Sequence, residues 1–76
     1  MSETWLTEEG FRKLRAELES LKNDQLPGIE RTVKVLTDCG FNSEDDVFRE
    51  TLEKRNFLIE RIRVVSYMLA HAKRIG

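Results

Sequence analysis

The 76-residue chain predicts an all-α fold, an antiparallel two-helix coiled-coil hairpin. Three observations carry that expectation. Apolar residues recur at steps of three and four along two long stretches. A helix-starting pattern stands at the head of each stretch. Gly40, followed by Phe41 and then a run of polar residues, makes the one clear break between them.

The first helix is expected over about residues 8–39. Thr7 suits its N-cap, Glu8 and Glu9 suit the positive end of the helix dipole, and Leu6 and Phe11 have the spacing of a hydrophobic staple. Phe11, Leu14, Leu18 and Leu21 form a seam that resumes as Ile29, Val33 and Leu36, so the pattern skips a beat between Asn23 and Gly28. Pro27 lies in the skip. It lacks a backbone donor and crowds the carbonyl four residues back, which predicts a kink or brief break. Gly28 weakens the helix further. A turn is expected over about residues 40–43, with Gly40 as the left-handed residue that ends the helix.

The second helix is expected over about residues 44–74, capped by Ser43. Its seam reads Phe48, Leu52, Leu58, Ile59, Ile62, Val65 and Leu69, interrupted at Arg55. So short a turn requires antiparallel helices, with Leu36 opposite Phe48 and Leu14 opposite Leu69. Helices of about 30 residues give a rod of roughly 45 Å. Residues 1–76 form a single small domain of modest stability. Trp5, Phe57, Val64, Tyr67 and Met68 are left over. They either widen the seam or offer a contact surface to another chain.

Composition narrows the function classes. Thirteen basic against 14 acidic residues give a net charge of −1, with no basic excess to make nucleic acid the main partner. Cys39 is the single cysteine and has no internal disulfide partner, which fits a reducing, cytoplasmic compartment. The start of the chain has no signal-peptide pattern. No apolar run approaches the roughly 20 residues of a membrane span, so no membrane role is expected.

Chemistry concentrates at the turn, where Glu44, Asp45 and Asp46 follow Ser43. Acids in a first helical turn are stabilised by the dipole by roughly 0.3–1 kcal/mol each, so capping alone accounts for them. Three adjacent carboxylates also suit a hard divalent cation such as magnesium. His71 stands near a helix C-terminus without a Ser or Cys at triad-like spacing, and Cys39 has no basic neighbour to activate its thiol. With no phosphate-binding glycine loop and no zinc-ligand cluster, an enzyme acting alone is not expected. The basic residues of the second helix, from Arg49 to Arg74, read either as a solvated face or as a mild patch for phosphates or an acidic protein.

The opening LTEEGFRKLRAELESLK, the proline a few residues on, Gly40, the SE pair at 43–44, FLIERI at 57–62 and the closing AHAKRI resemble the N-terminal coiled-coil domain of GreA/GreB-type transcript cleavage factors. The resemblance covers essentially the whole chain. It implies a hairpin that enters the secondary channel of RNA polymerase, near the nascent RNA 3′ end. Tip acids of that family help hold a magnesium ion at the polymerase active site, so no intrinsic cofactor is implied, only a shared one. Carried over here, the resemblance makes Phe41, Asn42 and Ser43 the channel tip and Glu44, Asp45 and Asp46 the metal-side acids. Arg49 is then the candidate contact to RNA phosphate.

The departures are specific. The family tip usually reads Gly-Asp-Leu-Ser/Lys-Glu-Asn-Ala-Glu-Tyr, and here it reads GFNSEDDVF. Glu44 matches the second tip acid, whereas Phe41 replaces the first. Thr37 and Leu52 stand where family members often carry arginine. The family's C-terminal globular domain would begin where this chain stops, which suits either a stand-alone hairpin or an excised domain. The resulting expectation is a transcription elongation modulator, inhibitory rather than strongly cleavage-stimulating. The alternative is a self-associating coiled-coil module, a homo-oligomer with no polymerase role.

Overall fold

A computed structural model describes residues 4–75 of the chain. Residues 1–3 and Gly76, the outer limits of the expected domain, lie outside the described residues. The order of elements is β1 (Trp5–Leu6), α1 (Glu8–Ser20), a π-helical turn (Leu21–Gln25), α2 (Leu26–Asp38), α3 (Asp46–His71) and β2 (Lys73–Arg74). The helices α1 and α2 both pack on α3 to form the expected hairpin, a rod with principal extents of 53 × 25 × 14 Å.

α1 begins as its sequence predicts. The Thr7 hydroxyl accepts a 3.0 Å hydrogen bond from the Gly10 N–H, satisfying one of the free donors of the first turn. Leu6 is half-buried and Phe11 is buried, as the staple requires. A Cβ on Gly10 would stand 3.5 Å from Leu6 Cδ2 and 3.4 Å from the Thr7 hydroxyl, ordinary contact distances, so Leu6 and Thr7 close over the first turn without requiring a glycine there.

Pro27 does not break the helix. The Leu26 N–H bonds to the Leu21 carbonyl, five residues back, and the wider turn accommodates the proline that would otherwise crowd the Asn23 carbonyl. The skipped beat has the same cause. Leu14 and Leu21 are seven apart, but Leu21 and Ile29 are eight apart. A π-helical turn absorbs one extra residue, so Ile29, Val33 and Leu36 return to the side facing α3, where all three are half-buried.

α3 corrects the expected seam. Phe48, Thr51, Arg55, Leu58, Ile62, Val65, Leu69 and Ala72 follow a strict three-four alternation and are all buried or half-buried. Ile59 falls off that stripe and is exposed, and Thr51 takes a buried place that its polarity disguised. The Thr51 hydroxyl donates to the Val47 carbonyl at 2.7 Å, which removes the cost of burying it. Leu52 is half-buried beside the stripe. Among the described residues the buried apolar side chains are Phe11, Leu21 and Val65, a thin core for a rod of this length.

The open end of the hairpin holds a feature that the sequence does not announce. The second helix stops at His71, short of the expected residue 74, and the chain turns into β2. β2 runs parallel to β1, with Trp5 opposite Lys73 and Leu6 opposite Arg74. The Lys73 N–H donates to Thr4 O at 2.8 Å, and the Ile75 N–H to Leu6 O at 2.9 Å. Arg74 pairs with Glu8 and lies 4.6 Å from the centroid of the Phe11 ring, while Lys73 lies 5.6 Å from that of Trp5. Midway along the rod, Arg61 clamps Glu17 across the hairpin through Nε to Oε2 at 2.5 Å and Nη2 to Oε1 at 2.9 Å.

Candidate functional site

The tip of the rod is built by backbone geometry. Gly40 adopts φ 92°, the left-handed conformation that a Cβ disfavours. The Phe41 N–H reaches back to Leu36 O at 2.9 Å and the Gly40 N–H to Thr37 O at 3.0 Å, the paired bonds of a Schellman motif. These bonds occupy carbonyls that the end of α2 would leave unsatisfied. They also set Phe41, a position assigned to the tip, partly exposed at the turn.

Asn42 organises the rest of the loop. Its side-chain oxygen accepts from the Glu44 N–H at 2.9 Å, its N–H donates to Asp45 Oδ2 at 2.9 Å, and its carbonyl accepts from the Asp45 N–H at 2.9 Å. This is an Asx turn locked by a second carboxylate. Asparagine two residues before Glu44 was the sequence signal for it.

The helix start differs from expectation as a result. α3 begins at Asp46, with Asp45 rather than Ser43 in the N-cap position. The Asp45 carboxylate points back to Asn42 and makes no side-chain cap to α3. The Ser43 carbonyl accepts from Arg49 Nη1 at 3.4 Å.

The three acids are therefore not equivalent. Asp45 is occupied by the loop backbone, and Asp46 is paired with Arg49. Glu44 is exposed, and among the described residues its carboxylate has no hydrogen-bond or ion-pair partner. Arg49, assigned to RNA phosphate, is engaged by Asp46 and the Ser43 carbonyl. No group of three His, Cys, Asp or Glu side chains among the described residues is placed to hold a metal ion. The tip can lend a ligand to an ion held elsewhere but does not form a closed site.

Other candidates resolve simply. The His71 ring packs on Tyr67 with centroids 4.2 Å apart, and Cys39 is an exposed free thiol. Arg61 hydrogen-bonds Glu17 and holds its carboxyl below the ordinary value of 4.5, against partial desolvation and with charge attraction adding to the effect. No helix among the described residues is long and apolar enough to cross a membrane.

Comparison with known proteins agrees with this geometry. Residues 4–73 match the family model described as "Transcription elongation factor, N-terminal", the GreA/GreB N-terminal family. The chain is 34% identical over 67 residues to a transcription elongation factor GreA of Macrococcus caseolyticus, covering 88% of this chain and 42% of that protein. It is 36% identical over 68 residues to GreA 2 of Lactiplantibacillus plantarum, covering 90% and 42%. It is 33% identical over 67 residues to GreA of Staphylococcus aureus, covering 88% and 42%. The chain thus spans 42% of the length of these curated relatives. No solved structure gave a significant match. With a helical hairpin capped at Thr7, turned at Gly40 and matched over nearly its full length, the chain belongs to the GreA/GreB N-terminal family of transcription elongation factors.

Proposed function

We propose that this hairpin modulates transcription elongation by inserting its tip into the secondary channel of RNA polymerase, in the bacterial cytoplasm. Family membership supports the partner, and the tip supports the kind of effect. The observation that carries the reading is the unequal state of the three acids. Asp45 is a loop acceptor and Asp46 is an arginine partner, which leaves Glu44 as the carboxylate free to approach the polymerase active site. Phe41 stands where the family's first tip acid belongs and has no oxygen to offer.

A magnesium ion shared with the polymerase would supply Lewis-acid activation of water at the RNA 3′ end. This chain's own contribution is one carboxylate and the bulk of a rod 53 Å long. Filling a channel needs only the rod, whereas delivering a metal needs correctly angled ligands. The tip therefore suits occlusion and modulation better than vigorous cleavage, and the polymerase, not this chain, is the catalyst.

The test is RNA cleavage and nucleotide addition by halted, backtracked bacterial polymerase, with and without the chain, across a magnesium titration. Slower nucleotide addition without faster cleavage is the expected result, with Glu44→Lys leaving the slowing largely intact. Strong cleavage that Glu44→Lys abolishes would overturn the modulatory reading. No effect on either rate at high protein concentration would overturn the polymerase role.

A further inference from the structure

We propose that Arg55 is a docking residue, held partway along the rod to receive a carboxylate from the protein wall of the polymerase channel. The inference rests on the polymerase reading above. Arg55 occupies a place in the α3 stripe, between Thr51 and Leu58, that the pattern reserves for an apolar side chain. It is half-buried, its Nε is enclosed without a hydrogen-bond partner, and it forms no ion pair among the described residues. The other arginines of α3 are each matched to a carboxylate: Arg49 to Asp46, Arg61 to Glu17 and Arg63 to Glu60. Three and four positions from Arg55 stand Thr51, Leu52, Leu58 and Ile59, so its own helix offers no acid at the spacing that pairs side chains.

A guanidinium stays charged, carries donors and no acceptor, and costs stability when it loses water without gaining a counter-charge. In so thin a core, an apolar side chain at this place would pack better, and the free chain supplies nothing that offsets the loss. The form of the group indicates what does. Enclosure of Nε holds the plane of the fork, while the two Nη groups are not enclosed. They present the edge that takes a carboxylate through paired, charge-assisted hydrogen bonds. A phosphate would suit the same donors, but the position favours protein. Arg55 lies nine residues beyond Asp46, about 14 Å along α3 at 1.5 Å per residue. It therefore stands behind the tip, beside the wall that the rod passes rather than the RNA end that Glu44 approaches.

The experiment pairs thermal unfolding of the full chain with its binding to immobilised bacterial RNA polymerase, free of nucleic acid, by biolayer interferometry. Arg55→Leu should raise the melting temperature by about 4 °C or more and weaken polymerase binding by about tenfold or more. Arg55→Lys keeps the charge but loses the fork, and should bind with intermediate affinity. Arg63→Gln removes a cation that Glu60 already holds and should change affinity by less than about twofold. Arg55→Leu that lowers the melting temperature would reveal a partner within the free hairpin and overturn the proposal. So would wild-type affinity in Arg55→Leu, or an equal loss in Arg63→Gln. Full affinity in Arg55→Leu without nucleic acid, lost only on complexes that contain RNA, would assign the residue to phosphate instead. A wild-type chain that does not bind polymerase would overturn the polymerase reading together with this one, whereas binding that ignores Arg55 overturns this one alone.

Discussion

Deleting Asp24 removes one residue from the π-helical turn and so tests why that turn exists. With the residue gone, the seam from Leu21 to the side chain of Ile29 spans seven positions, and a regular α-helix keeps both on the face toward α3. Pro27 would then sit in an ordinary helix interior, where its ring meets the carbonyl four residues back at a cost of about 3 kcal/mol. For a domain of this size, that loss lowers the melting temperature by roughly 12–24 °C. Pro27→Ala alone should do little, because the spacing of the seam still demands an extra residue. Without the wide turn, every position beyond it would rotate by about 100°. Ile29, Val33 and Leu36 would leave the interface together, at a combined cost of about 3 kcal/mol for three half-buried side chains. The double variant, lacking Asp24 and carrying Pro27→Ala, should form one continuous α-helix with a stability within about 1 kcal/mol of the parent. Thermal unfolding followed at 222 nm reads all four corners of this cycle. A deletion that melts near the parent, with Pro27 still in place, would refute the role given to Pro27. A double variant as unstable as the deletion would also show that the turn is not a register device.

Three further outcomes follow from the same geometry. Gly40→Ala forces a Cβ into the left-handed region and should cost about 1–2 kcal/mol, measured by urea unfolding, while leaving helix content unchanged. Val65→Ala empties a fully buried position in a thin core and should cost about 2 kcal/mol, a large share of the stability of so small a domain. Glu17→Gln tests the clamp by pH. The folded Glu17 carboxyl lies below its ordinary value because Arg61 hydrogen-bonds it, so its contribution is present above that value and is lost as pH falls through the folded one. The wild type should therefore melt higher than Glu17→Gln near neutrality, and the two should converge in strong acid. A constant gap across the range would assign the effect to packing.

Much of the hairpin was legible because its signals are local and chemically specific. Thr7, the staple of Leu6 and Phe11, and Gly40 each act within one helical turn, and each does what its residue type favours. The acidic tip was harder, because Ser43, Asp45 and Asp46 are all good N-caps. The choice of Asp45 was made by Asn42, whose side chain and backbone bind both sides of the turn. Ile59 misled because it is apolar and adjacent to Leu58, and Thr51 was missed because it is polar. Only the three-four alternation from Phe48 to Ala72 separates them. Pro27 signalled a disturbance without its form, although the one-residue slip of the seam held the answer. Strands of two residues have too little length to show any periodicity, so β1 and β2 left no readable trace.

That pair of strands has a consequence for the order in which the molecule assembles. It joins residue 5 to residue 73, so its formation closes almost the whole chain into one loop. The loss of chain entropy is recovered only after both helices have zipped from the Gly40 turn and brought the ends together. The tip, made of contacts a few residues apart, is complete before the base exists. Fraying runs the same course in reverse: amide protons of the two strands exchange first, while the loop that carries Glu44 keeps its shape. The end of the rod proposed to meet the polymerase is thus the part whose geometry depends least on whether the other end is fastened.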